Sequence, residues 1–205
     1  MTGTMSISCS CGRVEASVND VTPQKGGHVI CYCTDCQAFA HYLGRAHDIL
    51  DAHGGSILYQ TLPSRVSFSK GVDQIKCVRV TPKGIFRWYT ECCKTPLGNT
   101  ASTVDMPFVG LFTMSFNGSE TEIAQQLGPI VASNKIESAI GVPNNPAPKA
   151  GLKFILTFIG RTLGARISGN SGSPFFTEEK QPISDPITLS SEDRAQIDAK
   201  ISANA

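Results

Sequence analysis

The feature that most limits how this chain can fold is the grouping of its cysteines: Cys9-Ser10-Cys11, Cys31-Tyr32-Cys33-Thr34-Asp35-Cys36 and Cys92-Cys93. A C-x-C-x-x-C run brings three sulfurs to one point, because a short turn swings alternate side chains together and the helical turn after it raises the third. With eight cysteines in 205 residues, such a run arises by accident with a likelihood on the order of one in a hundred, so the spacing is itself a metal signal. Cys9 and Cys11 together with Cys92 and Cys93 supply four thiols from two distant segments, the arrangement in which an ion ties an early strand to a later one. Cys31, Cys33 and Cys36 then form a site one ligand short of a tetrahedron. Zinc held by four protein thiolates is inert, whereas zinc held by three keeps a position for water or substrate. The expected cofactor is therefore zinc, two ions per chain, one structural and one open or labile.

The same cysteines in a secreted protein would be read as disulfides. The opening Met1-Thr2-Gly3-Thr4-Met5 has no charged segment followed by an apolar one, so a reducing cytoplasm is the expected setting and the thiols are read as ligands. A formal charge of +1 with no basic run argues against a nucleic-acid or membrane-surface binder. The most apolar run, Phe154-Ile155-Leu156-Thr157-Phe158-Ile159, is far too short to span a bilayer and is flanked by Lys153 and Arg161. Neither nucleic acid nor membrane is thus an expected partner. Asn117-Gly118-Ser119 marks a turn.

The patterning predicts a mainly β chain, α+β overall. Residues 5–9 and 13–18 read as strands meeting at the first cysteine pair, where Gly12 supplies backbone freedom. Residues 28–32 read as a strand entering the three-cysteine turn, and 37–43 as a helix starting after its last ligand. Residues 57–60, 65–69, 75–80 and 85–89 are rich in branched and aromatic side chains, and Thr81-Pro82-Lys83-Gly84 has the chemistry of a hairpin turn. Pro96-Leu97-Gly98-Asn99 reads as a turn and 108–116 as a strand. Beyond Gly118, residues 120–127 read as a short helix and Pro143-Asn144-Asn145-Pro146-Ala147-Pro148 as a breaker. Residues 151–165 are helical by period, with Leu152, Ile155, Leu156, Ile159 and Leu163 on one face; such a helix could cover a partner or a membrane surface, and packing on its own sheet is the more ordinary expectation. Ser190-Ser191-Glu192-Asp193 opens a last helix.

An early C-x-C, a C-x-C-x-x-C about twenty residues on and a late cysteine pair followed by x-T-P-L together resemble the glutathione-dependent formaldehyde-activating (GFA) family, also called CENP-V/GFA, over roughly residues 6–116. The resemblance implies a zinc-stapled β-tent fold, a zinc domain over 5–117 and a partly helical C-terminal extension over 118–205. It implies that Cys9, Cys11, Cys92 and Cys93 hold the structural zinc and that Cys31, Cys33 and Cys36 hold the catalytic one. It further implies a carbon–sulfur lyase whose partner is glutathione or a glutathione–aldehyde adduct. One departure stands out: Cys93-Lys94-Thr95-Pro96-Leu97 aligns with the second half of the family's C-x-x-C-G-x-P-L, while Thr90 falls where its first cysteine belongs. Cys92 must then substitute, which requires an unusual backbone turn between adjacent cysteines.

Zinc held by three thiolates carries a net charge near −1 and accepts a soft fourth ligand, for which glutathione is the cytosolic candidate. The rival reading is a non-catalytic zinc module that binds a thiol or a protein, and a histidine or acid completing the Cys31 site would favour it. Asp35 is read as a turn-stabilising residue. His41, His47 and His53, six residues apart, do not share a helical face and are not read as ligands. Cys77 is read as a small core residue, and Arg87 and Trp88 could line the pocket, although strand packing accounts for them adequately.

Overall fold

The computed structural model describes residues 3–203. Among the described residues the chain forms eleven strands in two sheets and five α-helices, a mainly β, α+β fold. In order these are β1 (Gly3–Ser8), β2 (Glu15–Val21), β3 (Gly27–Cys31), α1 (Thr34–Tyr42), α2 (Ala46–Ile49), β4 (Ser56–Thr61), β5 (Val66–Lys70) and β6 (Ile75–Arg79). There follow β7 (Phe86–Thr90), β8 (Pro96–Thr100), β9 (Val109–Phe112), α3 (Glu120–Leu127), β10 (Ala132–Asn134), α4 (Leu152–Ile167), β11 (Ile187–Thr188) and α5 (Ser191–Ala203).

The small sheet runs β1-β2-β5 and the large one β10-β3-β4-β9-β8-β7-β6-β11. Pairing is antiparallel except at the two outer strands, where β10 lies parallel to β3 and β11 parallel to β6. The two sheets enclose one core, in which Ile7 and Val18 share a cluster with Trp88, Leu97 and Leu111. Phe175 completes it, fully buried with its ring centroid 5.1 Å from that of Trp88. A second core lies under the helices: Phe39 of α1 and Ile197 and Ile201 of α5 pack with Val29, Val78 and Phe112.

Four elements differ from the sequence expectation. The first helix begins at Thr34 rather than after Cys36, because Cys33 is its N-cap and the Cys33 sulfur accepts the Cys36 amide. Residues 96–100 are a strand, not a turn: every residue of β8 is buried between β7 and β9, and proline at a strand's first position forfeits no needed ladder bond. The predicted strand over 108–116 stops at Phe112 and gives way to a 3₁₀ turn over Thr113–Ser115. The fourth difference is the orientation of α4. Phe154, Phe158, Thr162 and Ala165 face the protein, and Leu152, Ile155, Leu156, Ile159 and Leu163 are exposed. The helix is apolar on both sides, and the aromatic side won the contact.

Candidate metal centres

The turn between β1 and β2 presents Cys9 and Cys11. Gly12, at φ +70°, closes it with its amide on the Cys9 carbonyl at 2.9 Å, and the Val14 amide donates to Cys9 Sγ at 3.3 Å. The facing turn, between β7 and β8, presents Cys92 and Cys93. It closes through the Lys94 amide on the Thr90 carbonyl at 2.8 Å, with Lys94 in the left-handed region at φ +55°. That strained lysine is the unusual turn which adjacent cysteines require.

The sulfurs of Cys9 and Cys11 are 3.6 Å apart, those of Cys9 and Cys92 3.8 Å, of Cys11 and Cys92 3.3 Å, and of Cys92 and Cys93 3.8 Å. Zinc–sulfur bonds of about 2.3 Å in a tetrahedron separate the sulfurs by about 3.8 Å. The four thiols therefore fit a soft metal ion. Thr90 takes part without being a ligand: its Oγ1 lies 3.4 Å from Cys93 Sγ, and Thr95 Oγ1 lies 3.2 Å away on the same sulfur. Against the effect of burial, these hydroxyls and Cys11 draw the Cys93 thiol down to about 5. Arg45 links the two turns, its Nη1 donating to Ser10 Oγ at 2.9 Å and to Thr95 Oγ1 at 3.0 Å.

The second cluster is built at a strand-to-helix junction. Cys31 ends β3, Cys33 caps α1, and Cys36 sits in its first turn with its amide 3.3 Å from Cys33 Sγ. All three sulfurs lie within 4.8 Å of one another and can hold a metal ion. Among the described residues, no histidine or carboxylate has a ligand atom within that reach of all three. Cys31 and Cys33 are half-buried and Cys36 is buried. The helix N-terminus adds positive potential where a thiolate would sit.

Arg87 is the residue that strand packing did not foretell. Only 2% exposed, it points Nη1 at Cys36 Sγ (3.6 Å) and at Asn99 Oδ1 (3.4 Å), with its guanidinium 5.6 Å over the Phe39 ring. Its Nε has no hydrogen-bond partner. A buried cation needs a counter-charge, and the sulfur cluster is the one that it faces. Hydrogen bonds from Cys31 and then Cys33, joined by the Arg87 charge, hold the Cys36 thiol well below the usual range against burial. Cys31, the donor to the other two sulfurs, is pushed up. Burial opposes the Arg87 charge, but Cys36 beside it more than offsets that and its pKa is raised.

Two further contacts pin the three-cysteine turn. Gln37, 1% exposed, donates from Nε2 to the Tyr32 carbonyl at 2.8 Å and to the Ser138 carbonyl at 2.9 Å. Asp35 accepts from Arg194 Nη1 of α5 at 2.7 Å. The links to Ser138 and Arg194 were not legible, since both residues come from beyond Gly118. His47 meets Asp48 at 2.9 Å and His53 Nδ1 donates to the Ile140 carbonyl at 2.8 Å. Among the described residues no histidine belongs to either sulfur cluster. Cys77 is fully buried and burial raises its thiol to about 12, as befits a core residue.

Residues 1–185 match DUF6151, described as a family of unknown function. The chain belongs to that family. No curated protein matches it. Among solved structures, this DUF6151 chain is similar to the crystal structure of a Rhodobacter sphaeroides protein, a Northeast Structural Genomics target. The identity is 16% and the TM-score 0.43, over 62% of this chain and 97% of that one. So slight a likeness assigns nothing. Among the described residues no helix is long and apolar enough to cross a membrane.

Proposed function

We propose that this protein binds two zinc ions unequally and that the three-thiol site works as a cytoplasmic carbon–sulfur lyase on a glutathione–aldehyde adduct of the S-hydroxymethylglutathione type. The observation that carries the reading is the split of seven sulfurs into a set of four and a set of three, the latter with two thiols half-exposed. The likeness of the cysteine spacing to the GFA pattern supports the substrate class.

The donor chemistry fits zinc at both centres, since every ligand is sulfur and the four-thiol spacings match a tetrahedron. At the three-thiol site bound zinc would supply an electrophile with one position open to a soft donor. The chain's own residues set the charge around it. Arg87 offsets from within the fold the net charge near −1 that three thiolates and a bound zinc would carry, and the α1 N-terminus adds to that effect. Release of an aldehyde from the adduct breaks C–S and turns C–O into C=O; the hydroxyl proton passes to solvent water and the C–S electron pair stays on glutathione sulfur. That thiolate is the soft donor which the open position would take as fourth ligand, and the Arg87 charge keeps the site from becoming strongly negative.

Metal analysis should return two zinc ions per chain, and titration with glutathione should perturb one of them. Cys33→Ser should abolish turnover of S-hydroxymethylglutathione while leaving the four-thiol ion in place. A three-thiol ion indifferent to millimolar thiol, with turnover unchanged in Cys33→Ser, would overturn the enzyme reading and leave a non-catalytic zinc module that binds a thiol or a protein partner.

A further inference from the structure

Helix α4 has more apolar surface than the fold uses. Phe154, Phe158 and Ala165 face inward, yet Leu152 is 72% exposed, Leu156 58% and Leu163 52%, with Ile155 and Ile159 between them. A helix apolar on both sides is one that is covered on both sides, and the chain covers one. The surrounding charge is of one sign. From Ser138 to Thr177 there is no aspartate or glutamate, while Lys149, Lys153, Arg161 and Arg166 all fall in that stretch. Lys153 and Arg166 stand near the two ends of the helix and both are exposed.

Beside α4 runs a groove of about 660 Å³ walled by Val131, Phe154 and Phe158, to which Lys149, Lys153 and Arg161 contribute cations. Arg161 is held there by donating to the Gln60 carbonyl at 3.0 Å, and Lys149 lies 3.8 Å from Glu137. Apolar surface and cations occur together in both the helix and the groove, and Glu137, the acid just before that stretch, meets Lys149 at the groove's edge rather than any residue of α4.

We infer that α4 lies in the interface of an anionic phospholipid bilayer, its exposed aliphatic stripe among the acyl chains and Lys153 and Arg166 on lipid phosphate. A second copy of the chain suits this face less well. Pairing α4 with α4 in either direction sets cation against cation, and the stretch holds no acid to separate them. An anionic surface supplies the missing charge. The expectation of no membrane partner rested on the lack of a spanning segment and of a basic run. A helix that lies on a surface needs neither.

The test is sedimentation of the full chain with vesicles. Wild type should pellet at low salt with phosphatidylcholine vesicles containing ~30% phosphatidylglycerol, stay in solution with phosphatidylcholine alone, and be released as salt rises. The variant carrying Leu156→Ser, Ile159→Ser and Leu163→Ser should lose binding. The doubly reversed Lys153→Glu, Arg166→Glu chain, which leaves the stripe intact, should bind at least about tenfold more weakly. The inference is overturned if wild type ignores anionic vesicles, if either variant binds like wild type, or if sedimentation equilibrium shows a dimer that the serine variant abolishes and vesicles do not capture. Circular dichroism and metal content establish that each variant is folded, and the charge-reversed chain carries the test alone if the serine variant is not.

Discussion

Arg194 of the last helix donates to Asp35, inside the three-cysteine turn, across 2.7 Å and 159 positions of sequence. The same guanidinium reaches Asp198 Oδ1 at 2.9 Å and the Val80 carbonyl at 3.2 Å. Asp35 lies between two sulfurs in the chain, so this contact couples α5 to the metal turn. With side chains 16% and 32% exposed, the pair is neither a fully solvated one nor a buried one. Arg194→Ala should cost about 1 kcal/mol, lower the melting temperature by about 2–4 °C, and speed zinc loss from the three-thiol site only. A chromogenic chelator read against time measures the last effect.

The cysteine spacing revealed both clusters, because ligands a few residues apart are constrained by local geometry alone. The partners of the arginines were not legible. Arg45, Arg87 and Arg194 sit on separate elements, and only the closed fold brings Arg45 to Ser10 and Thr95, Arg87 to Cys36 and Arg194 to Asp35. Strand periodicity marks alternation, and β7, buried at all five positions, has none to read. Helix α4 shows the converse limit: the period identified an apolar face over Leu152, Ile155, Leu156, Ile159 and Leu163 without saying that Phe154 and Phe158 would claim the contact. The parallel strands β10 and β11, of three and two residues, are too short to carry a pattern.

Arg87 is expected to matter to metal rather than to shape. Its guanidinium faces Cys36 and has no carboxylate partner in the contacts it makes. Arg87→Met keeps the packing on Phe39 but withdraws the charge. The three-thiol zinc affinity should fall by about 10–100-fold, in line with outer-shell substitutions at other metal sites, and the four-thiol affinity should hold. Competition titration with a zinc chelator distinguishes the two sites. Equal weakening of both would disprove the assignment.

His28 makes the fold acid-sensitive. Burial lowers its pKa, and the bond from Nδ1 to the Gly128 carbonyl, 2.7 Å long, only partly counters that. The folded state thus binds this proton less readily than the unfolded chain. Stability from His28 is complete above the unfolded value of about 6.5 and is lost as pH falls through the lower folded value. Urea midpoints measured between pH 7 and 5 should decline, and His28→Gln should flatten the decline.

Phe175 gives the C-terminal residues a direct share in the first core. Fully buried, it packs on Trp88 and stands edge-on to Phe68 at 5.3 Å. Phe175→Ala should cost about 3–5 kcal/mol, the range for emptying an aromatic site in a core, with zinc content per folded molecule unchanged. Chemical denaturation gives the first quantity and elemental analysis of the soluble fraction the second.

The two metal centres should differ in what their loss does to the fold. The three-thiol site is local, its ligands lying at the end of one strand and the first turn of the next helix. The four-thiol site instead joins the β1–β2 turn of the small sheet to the β7–β8 turn of the large one, residues 83 apart in the case of Cys9 and Cys92. Withdrawing its ion leaves four thiols crowded between sheets that hydrogen-bond separately. Cys93→Ser should therefore lower the melting temperature by more than Cys33→Ser, although each removes one ligand. Stepwise chelation should release the three-thiol ion first, with far-ultraviolet circular dichroism unchanged, and the second ion only as that signal is lost. Release in the reverse order, or two ions leaving together, would mean that the sheets do not depend on the clasp between them.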